Sequence, residues 1–165
     1  MKKVIVVSKT HLDLGFTDYA KNIKEKYIRS FIPDAIDLAE KVNTDGRKNF
    51  VWTTGSWIIK EALKNPIQSD KLRKALQKGH IVPHAMPFTT HTELLDTDSL
   101  NYGLSIVSEL DKLRDRKTVA AKMTDVPGQG ACNASCKSRN QAFTYRCKRS
   151  FRPGGCSPML PLEKR

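Results

Sequence analysis

The chain has 165 residues, room for one domain at the usual ~100–200 residues each. Hydrophobic residues make up 39% and charged residues 28%, which fits a globular protein better than a disordered one. No apolar run approaches the ~18–20 residues of a membrane helix, which excludes a spanning segment of that kind.

The net charge of +12 suggests a nucleic-acid partner until it is located. Residues 131–165 hold eight Lys and Arg against one acid, Glu163, a net +7. The other 130 residues hold 21 bases against 16 acids, a net +5. All four cysteines (Cys132, Cys136, Cys147, Cys156) lie in the tail, and all four histidines lie before it. Two compositions therefore meet near Gly130: a body over 1–130 and a basic, Cys-containing tail over 131–165. The apolar run Val4–Val7 is shorter than the ~7–15 residues of a signal-peptide core, so the cytoplasm is the expected compartment.

Lys3–Ser8 (KVIVVS) is a β-branched run and predicts a strand buried on both faces. Thr17–Asn43 is helix-like, with Ile32, Ile36, Ala39 and Val42 at helical spacing, and Pro33 predicts a kink or a division. Asn49–Thr54 predicts a second strand. Ser56 is the expected cap of a helix over Trp57–Lys64, stopped by Asn65-Pro66. Ser69 or Asp70 is the expected cap of a helix over Lys71–Lys78, ended by Gly79. His80–His84 predicts a weak third strand, since Pro83 limits pairing. Thr97–Asp115 predicts a helix with Leu100, Leu104, Val107, Leu110 and Leu113 on one face. Thr118–Thr124 predicts a fourth strand.

The order is β-α-β-α-β-α-β, which implies right-handed crossovers, parallel strands and the α/β class. Four strands make half of a barrel or a small open sheet. In such folds sites form beyond the carboxyl ends of the strands. Polar residues gather there. His11 and Asp13 follow strand one; two apart in an extended segment, they point the same way and can reach one metal ion. Imidazole nitrogen and carboxylate oxygen suit Zn²⁺. Thr89, Thr90, His91 and Glu93 follow strand three, and Asp125 follows strand four. Singly, each has a plain structural reading: a chance H-x-D, a turn-starting aspartate, solvated loop residues. Convergence on one rim weighs more than any one of them. His80 and His84 read as structural, and Trp52 and Trp57 as core.

The segment VVSKTHLDLGFTDYA resembles the start of the catalytic domain of glycoside hydrolase family 38, the α-mannosidase type. There the first strand ends in an H-x-D-x-G-aromatic motif. TDVPGQG resembles that family's later strand end, which carries a catalytic aspartate, and the stretch between resembles an uncharacterised branch. The resemblance covers roughly residues 1–130. It implies the N-terminal part of a (β/α)₇-type barrel and retaining hydrolysis of α-mannosides. It implies one zinc ion on His11, Asp13 and Asp125, with Asp125 also the nucleophile. A second carboxyl group protonates the leaving oxygen in such chemistry. His91, Glu93 and Phe16 are weaker candidates for substrate contacts, and His91 and Glu93 match no defined role of the family. Phe16 stands where true mannosidases carry tryptophan. The family's histidine ligand and acid/base carboxylate have no counterpart in these residues, so weak zinc binding and impaired activity are expected.

The tail shows no helix or strand period and no trusted zinc-ligand spacing. Codon degeneracy lets Tyr145–Phe151 be written so that reading one base later gives IGVNAA, a strand-like continuation of the body. The expectation is a frameshift near Gln129 or Gly130 and a truncated, irregular tail. Two further readings stand beside a glycoside hydrolase: a carbohydrate- or metal-binding remnant without catalysis, and a nucleic-acid-binding protein acting through 131–165. The expected partner is a carbohydrate; membrane and nucleic acid are not expected.

Overall fold

The computed structural model describes residues 8–123 and 142–145. Strand β1 (Ser8–Lys9) is followed by helix α1 (Ala20–Lys26), a π-helical turn (Tyr27–Phe31) and α2 (Ile32–Val42). Next come β2 (Trp52–Gly55), α3 (Ser56–Ala62), α4 (Ser69–Lys78) and β3 (Ile81–His84). A 3₁₀ turn (Thr92–Leu94), α5 (Thr97–Arg114), β4 (Ala120–Met123) and β5 (Ala142–Tyr145) complete the described chain. β1, β2 and β3 form a parallel sheet in that order, with Ser8 opposite Trp52 and Trp52 opposite Ile81. β4 and β5 form a second parallel pair. The Ala85 N–H donates to the Ala120 carbonyl at 3.0 Å and ties the end of β3 to the start of β4. The α/β class and parallel strands expected from the alternation are present. The strand expected over Lys3–Ser8 falls, except for Ser8, outside the described residues.

Pro33 and Pro83 act locally. Pro33 has no N–H, and its ring would crowd the carbonyl four residues back. The helix widens just before it: the Ile32 N–H bonds the Tyr27 carbonyl, five residues away, and Pro33 takes the second position of α2. The expected division is thus a π turn between two helices. Pro83 sits inside β3, opposite Thr54. Donors and acceptors alternate sides along a strand. The His80 carbonyl accepts from Trp52 of β2, and the Ala85 N–H bonds β4. Odd positions of β3 therefore face away from β2, and the donor missing at Pro83 costs the β2 ladder nothing.

Helix ends were partly foreseen. Gly79 takes the left-handed conformation (φ 72°) after α4, and its N–H bonds the Leu76 carbonyl at 3.1 Å. Asp96, not singled out in the sequence, caps α5, accepting from the Ser99 N–H at 2.7 Å. The two serines do not cap. Ser56 is the first residue of α3, buried, with its hydroxyl donating to the Ala85 carbonyl at 3.4 Å. Ser69 opens α4 with no side-chain cap; its N–H bonds the Asn65 carbonyl at 3.0 Å.

The larger core joins Ile32 and Ile36 of α2, Ile58 and Ile59 of α3, Leu72 and Leu76 of α4, and Trp52 and Ile81 of the sheet. Each such aliphatic side chain contributes about 1.5–3 kcal/mol by burial. A smaller core joins Met86, Leu100, Leu104, Val107 and Ala121. Trp52 is core, as expected, and stacks on Tyr27 with centroids 6.4 Å apart. The tail holds a strand that its basic composition hid: Phe143, Thr144 and Tyr145 of β5 are strand-favouring residues between Arg139 and Arg146. An irregular run over all of 131–165 is corrected at 142–145. The four cysteines lie outside the described residues.

Candidate functional site

The segment after β1 is held from both sides. The Thr10 N–H donates to the Thr53 carbonyl at 3.0 Å, and the Trp52 indole N–H donates to the Thr10 hydroxyl. Leu12 is only 2% exposed and belongs to the larger core. In extended backbone, burying Leu12 turns its neighbours the other way. His11 is exposed and Asp13 half-buried. The Leu12 carbonyl accepts from the Thr89 N–H at 3.0 Å, joining this segment to the loop after β3.

That loop is seated on α3. The first N–H groups of a helix lack partners within it. Here Ser56 N–H donates to the Met86 carbonyl at 3.1 Å and Trp57 N–H to the Pro87 carbonyl at 3.2 Å. The approach requires glycine at position 55, where a Cβ would stand 2.2 Å from the Pro87 carbonyl oxygen. Loop 86–91 is thereby fixed against the ends of β1 and β2.

Between the two segments lies a cleft of about 440 Å³, lined by His11, Asp13, Phe16, Thr89, Thr90 and His91. Leu14, Leu94 and Leu95 complete its wall. Phe16 is 86% exposed at the rim. Behind the cleft, the Tyr27 hydroxyl donates to the His11 carbonyl at 3.4 Å. Burial, and then the negative charge of Asp13, push Tyr27 up to about 12, so it remains a neutral hydroxyl. Its closeness to Asp13 was not legible in the sequence, since Tyr27 lies on a helix 14 positions on.

Four of the expected site residues (His11, Asp13, Phe16 and His91) share this cleft. Glu93 lies in the turn Thr92–Leu94, and its side chain is outside the described structure. Asp125 lies outside the described residues, two positions beyond the end of β4. Among the described residues no three His, Cys, Asp or Glu side chains gather closely enough to hold a metal ion. The donor types of His11 and Asp13 nevertheless suit zinc. His80 and His84 are buried, in keeping with structural roles. Gly55 and Pro87, which set the loop, were missed; the only signal was a glycine between a strand and a helix.

No protein-family model and no curated protein matches the chain.

Proposed function

We propose that the chain is a relative of the zinc-dependent retaining glycoside hydrolases acting on α-mannoside-like glycans. The observation that carries this reading is the single cleft shared by His11, Asp13, Phe16 and His91, at the end of β1 and in the loop after β3. The sequential parallel order β1-β2-β3, with β4 tied to the end of β3, supports the N-terminal part of a (β/α)₇-type barrel. On this reading His11, Asp13 and Asp125 hold one zinc ion, Asp125 is the nucleophile, and His91, Glu93 and Phe16 contact the sugar. Zinc, when bound, orients sugar hydroxyls as a template.

The test is metal content and glycoside turnover of the full chain beside a His11→Ala, Asp13→Ala variant. Stoichiometric zinc that the variant loses, with binding of α-mannosides, is the expected result. Hydrolysis of an aryl α-mannoside would add catalysis; binding without it would mark a binding remnant. A folded parent chain that takes no zinc and no mannoside overturns the reading.

A further inference from the structure

A second chamber adjoins the cleft. Its volume is about 250 Å³, and Thr90 and Leu95 line both spaces. Otherwise its wall is mainly apolar, with Trp57, Met86, Phe88, Leu100 and Tyr102. It sits at the seam of the two cores: Trp57 and Phe88 pack on the larger, while Met86 and Leu100 belong to the smaller.

Two features hold it open. Trp57 and Phe88 meet edge to face, centroids 5.9 Å apart at 88°, which fixes an aromatic wall. Position 103 on α5 is glycine, where a Cβ would stand 3.2 Å from Cγ of Pro87. A larger side chain there would press on Pro87 and enter the chamber. Tyr102 is 69% exposed at the mouth. An apolar cavity of ~150 Å³ already accepts benzene, so this one has room for an aryl ring or a short alkyl chain.

We infer that this chamber takes the apolar aglycone of a glycoside whose sugar lies in the polar cleft. The inference rests on the glycoside reading of that cleft. A sugar's hydroxyls need hydrogen-bonding partners, which His11, Asp13, Thr89 and His91 can supply; an aryl or alkyl aglycone needs the opposite surface. The shared wall places the two surfaces side by side.

The test is calorimetric titration of the full chain with methyl, butyl and hexyl α-mannosides, with 1-hexanol as a sugar-free probe. Affinity should rise roughly threefold per added methylene while the chamber fills. Gly103→Leu should bring hexyl mannoside back to the affinity of methyl mannoside, leaving the latter unchanged. Tyr102→Ala, at an exposed position that does not threaten folding, should cut the gain severalfold. Mannosides that all bind alike overturn the chamber, as does a gain that survives both variants in folded form. Binding of 1-hexanol with no mannoside bound overturns the cleft reading and with it the aglycone. Binding of no probe overturns both.

Discussion

Replacing Gly55 by alanine should destabilise the protein well beyond what one methyl group suggests. Gly55 has φ −63° and ψ 147°, a conformation alanine adopts freely, so the backbone itself carries no penalty. The penalty is contact. The new Cβ would lie 2.2 Å from the Pro87 carbonyl oxygen, 3.0 Å from its carbon and 3.4 Å from Cα of Phe88. All three are backbone atoms, so no side chain can swing aside. Loop 86–88 must move by about 1 Å, at the ~1–3 kcal/mol of an overpacked site. That movement also lengthens the bonds from Ser56 to Met86 (3.1 Å) and from Trp57 to Pro87 (3.2 Å), each worth about 0.5–1.5 kcal/mol. Together the loss is about 2–6 kcal/mol. In urea this lowers the unfolding midpoint by roughly 1–3 M at a slope of about 2 kcal/mol/M. Amide hydrogen exchange at Ser56 and Trp57 should quicken in the same variant. Gly103→Ala is the control, because its Cβ meets only the Pro87 ring, at 3.2 Å, and its loss should be well under half as large. An unfolding midpoint for Gly55→Ala equal to the parent's would refute the argument that this glycine seats the loop.

Three other outcomes follow from buried polar groups. Burial, and then the charge of Lys78, hold the His80 imidazole below its ordinary value. Its contribution to stability is therefore complete above about pH 6.5, the unfolded value, and is lost as pH falls through the folded value. Urea midpoints of a His80→Asn variant should fall less steeply than the parent's between neutral pH and pH 5. Tyr27 keeps its proton to about 12 when folded and loses it near 10 when unfolded. Its contribution is complete below pH 10 and declines between 10 and 12, so Tyr27→Phe should flatten the stability curve there, and phenolate absorbance should lose its last transition. Asp111 accepts from the Thr118 N–H at 2.7 Å and the Thr118 hydroxyl at 2.6 Å, and faces Arg114 at 3.5 Å. Asp111→Ala leaves a buried guanidinium without its carboxylate and should cost about 3 kcal/mol in urea unfolding, whereas Arg114→Met should cost far less.

What the sequence revealed depended on how local the cause was. The buried face of α5, at Leu100, Leu104, Val107 and Leu110, follows from spacing alone. So do the stop at Gly79 and the break at Pro33. The caps were harder, because serine at a helix start has two uses: bonding its own helix, or bonding whatever packs there. Ser56 takes the second, through the Ala85 carbonyl. β5 was missed because only three strand-favouring residues, Phe143–Tyr145, lie among basic ones, and pairing with β4 is a long-range event that local composition does not encode. That His11, Asp13, Thr89, Thr90 and His91 gather at strand ends was legible; the leucines that wall the cleft and its shape were not. That shape depends on contacts between segments far apart in sequence, such as Gly55 with Pro87 and Leu12 with Thr89.

The H-x-D motif after β1 can then be tested at the residue between its two polar members. Leu12 is buried, and a shift of one residue would exchange it with His11 and Asp13. Its hydrophobic anchor is therefore what aims both side chains at the cleft. Leu12→Ala removes most of that anchor and should cost about 2–5 kcal/mol. It also loosens the backbone that accepts from Thr89, though it removes no proposed ligand. Leu12→Met conserves volume and should cost under about 1.5 kcal/mol. If the aim of His11 and Asp13 matters to metal binding, zinc affinity should fall in Leu12→Ala at temperatures where the chain is still folded. Leu12→Met should keep it. Equal zinc affinity in the folded forms of both variants would mean that the donors are positioned by something other than this alternation. The hydrogen bonds flanking the motif, from Thr10 to Thr53 and from Tyr27 to His11, would then be the next to remove.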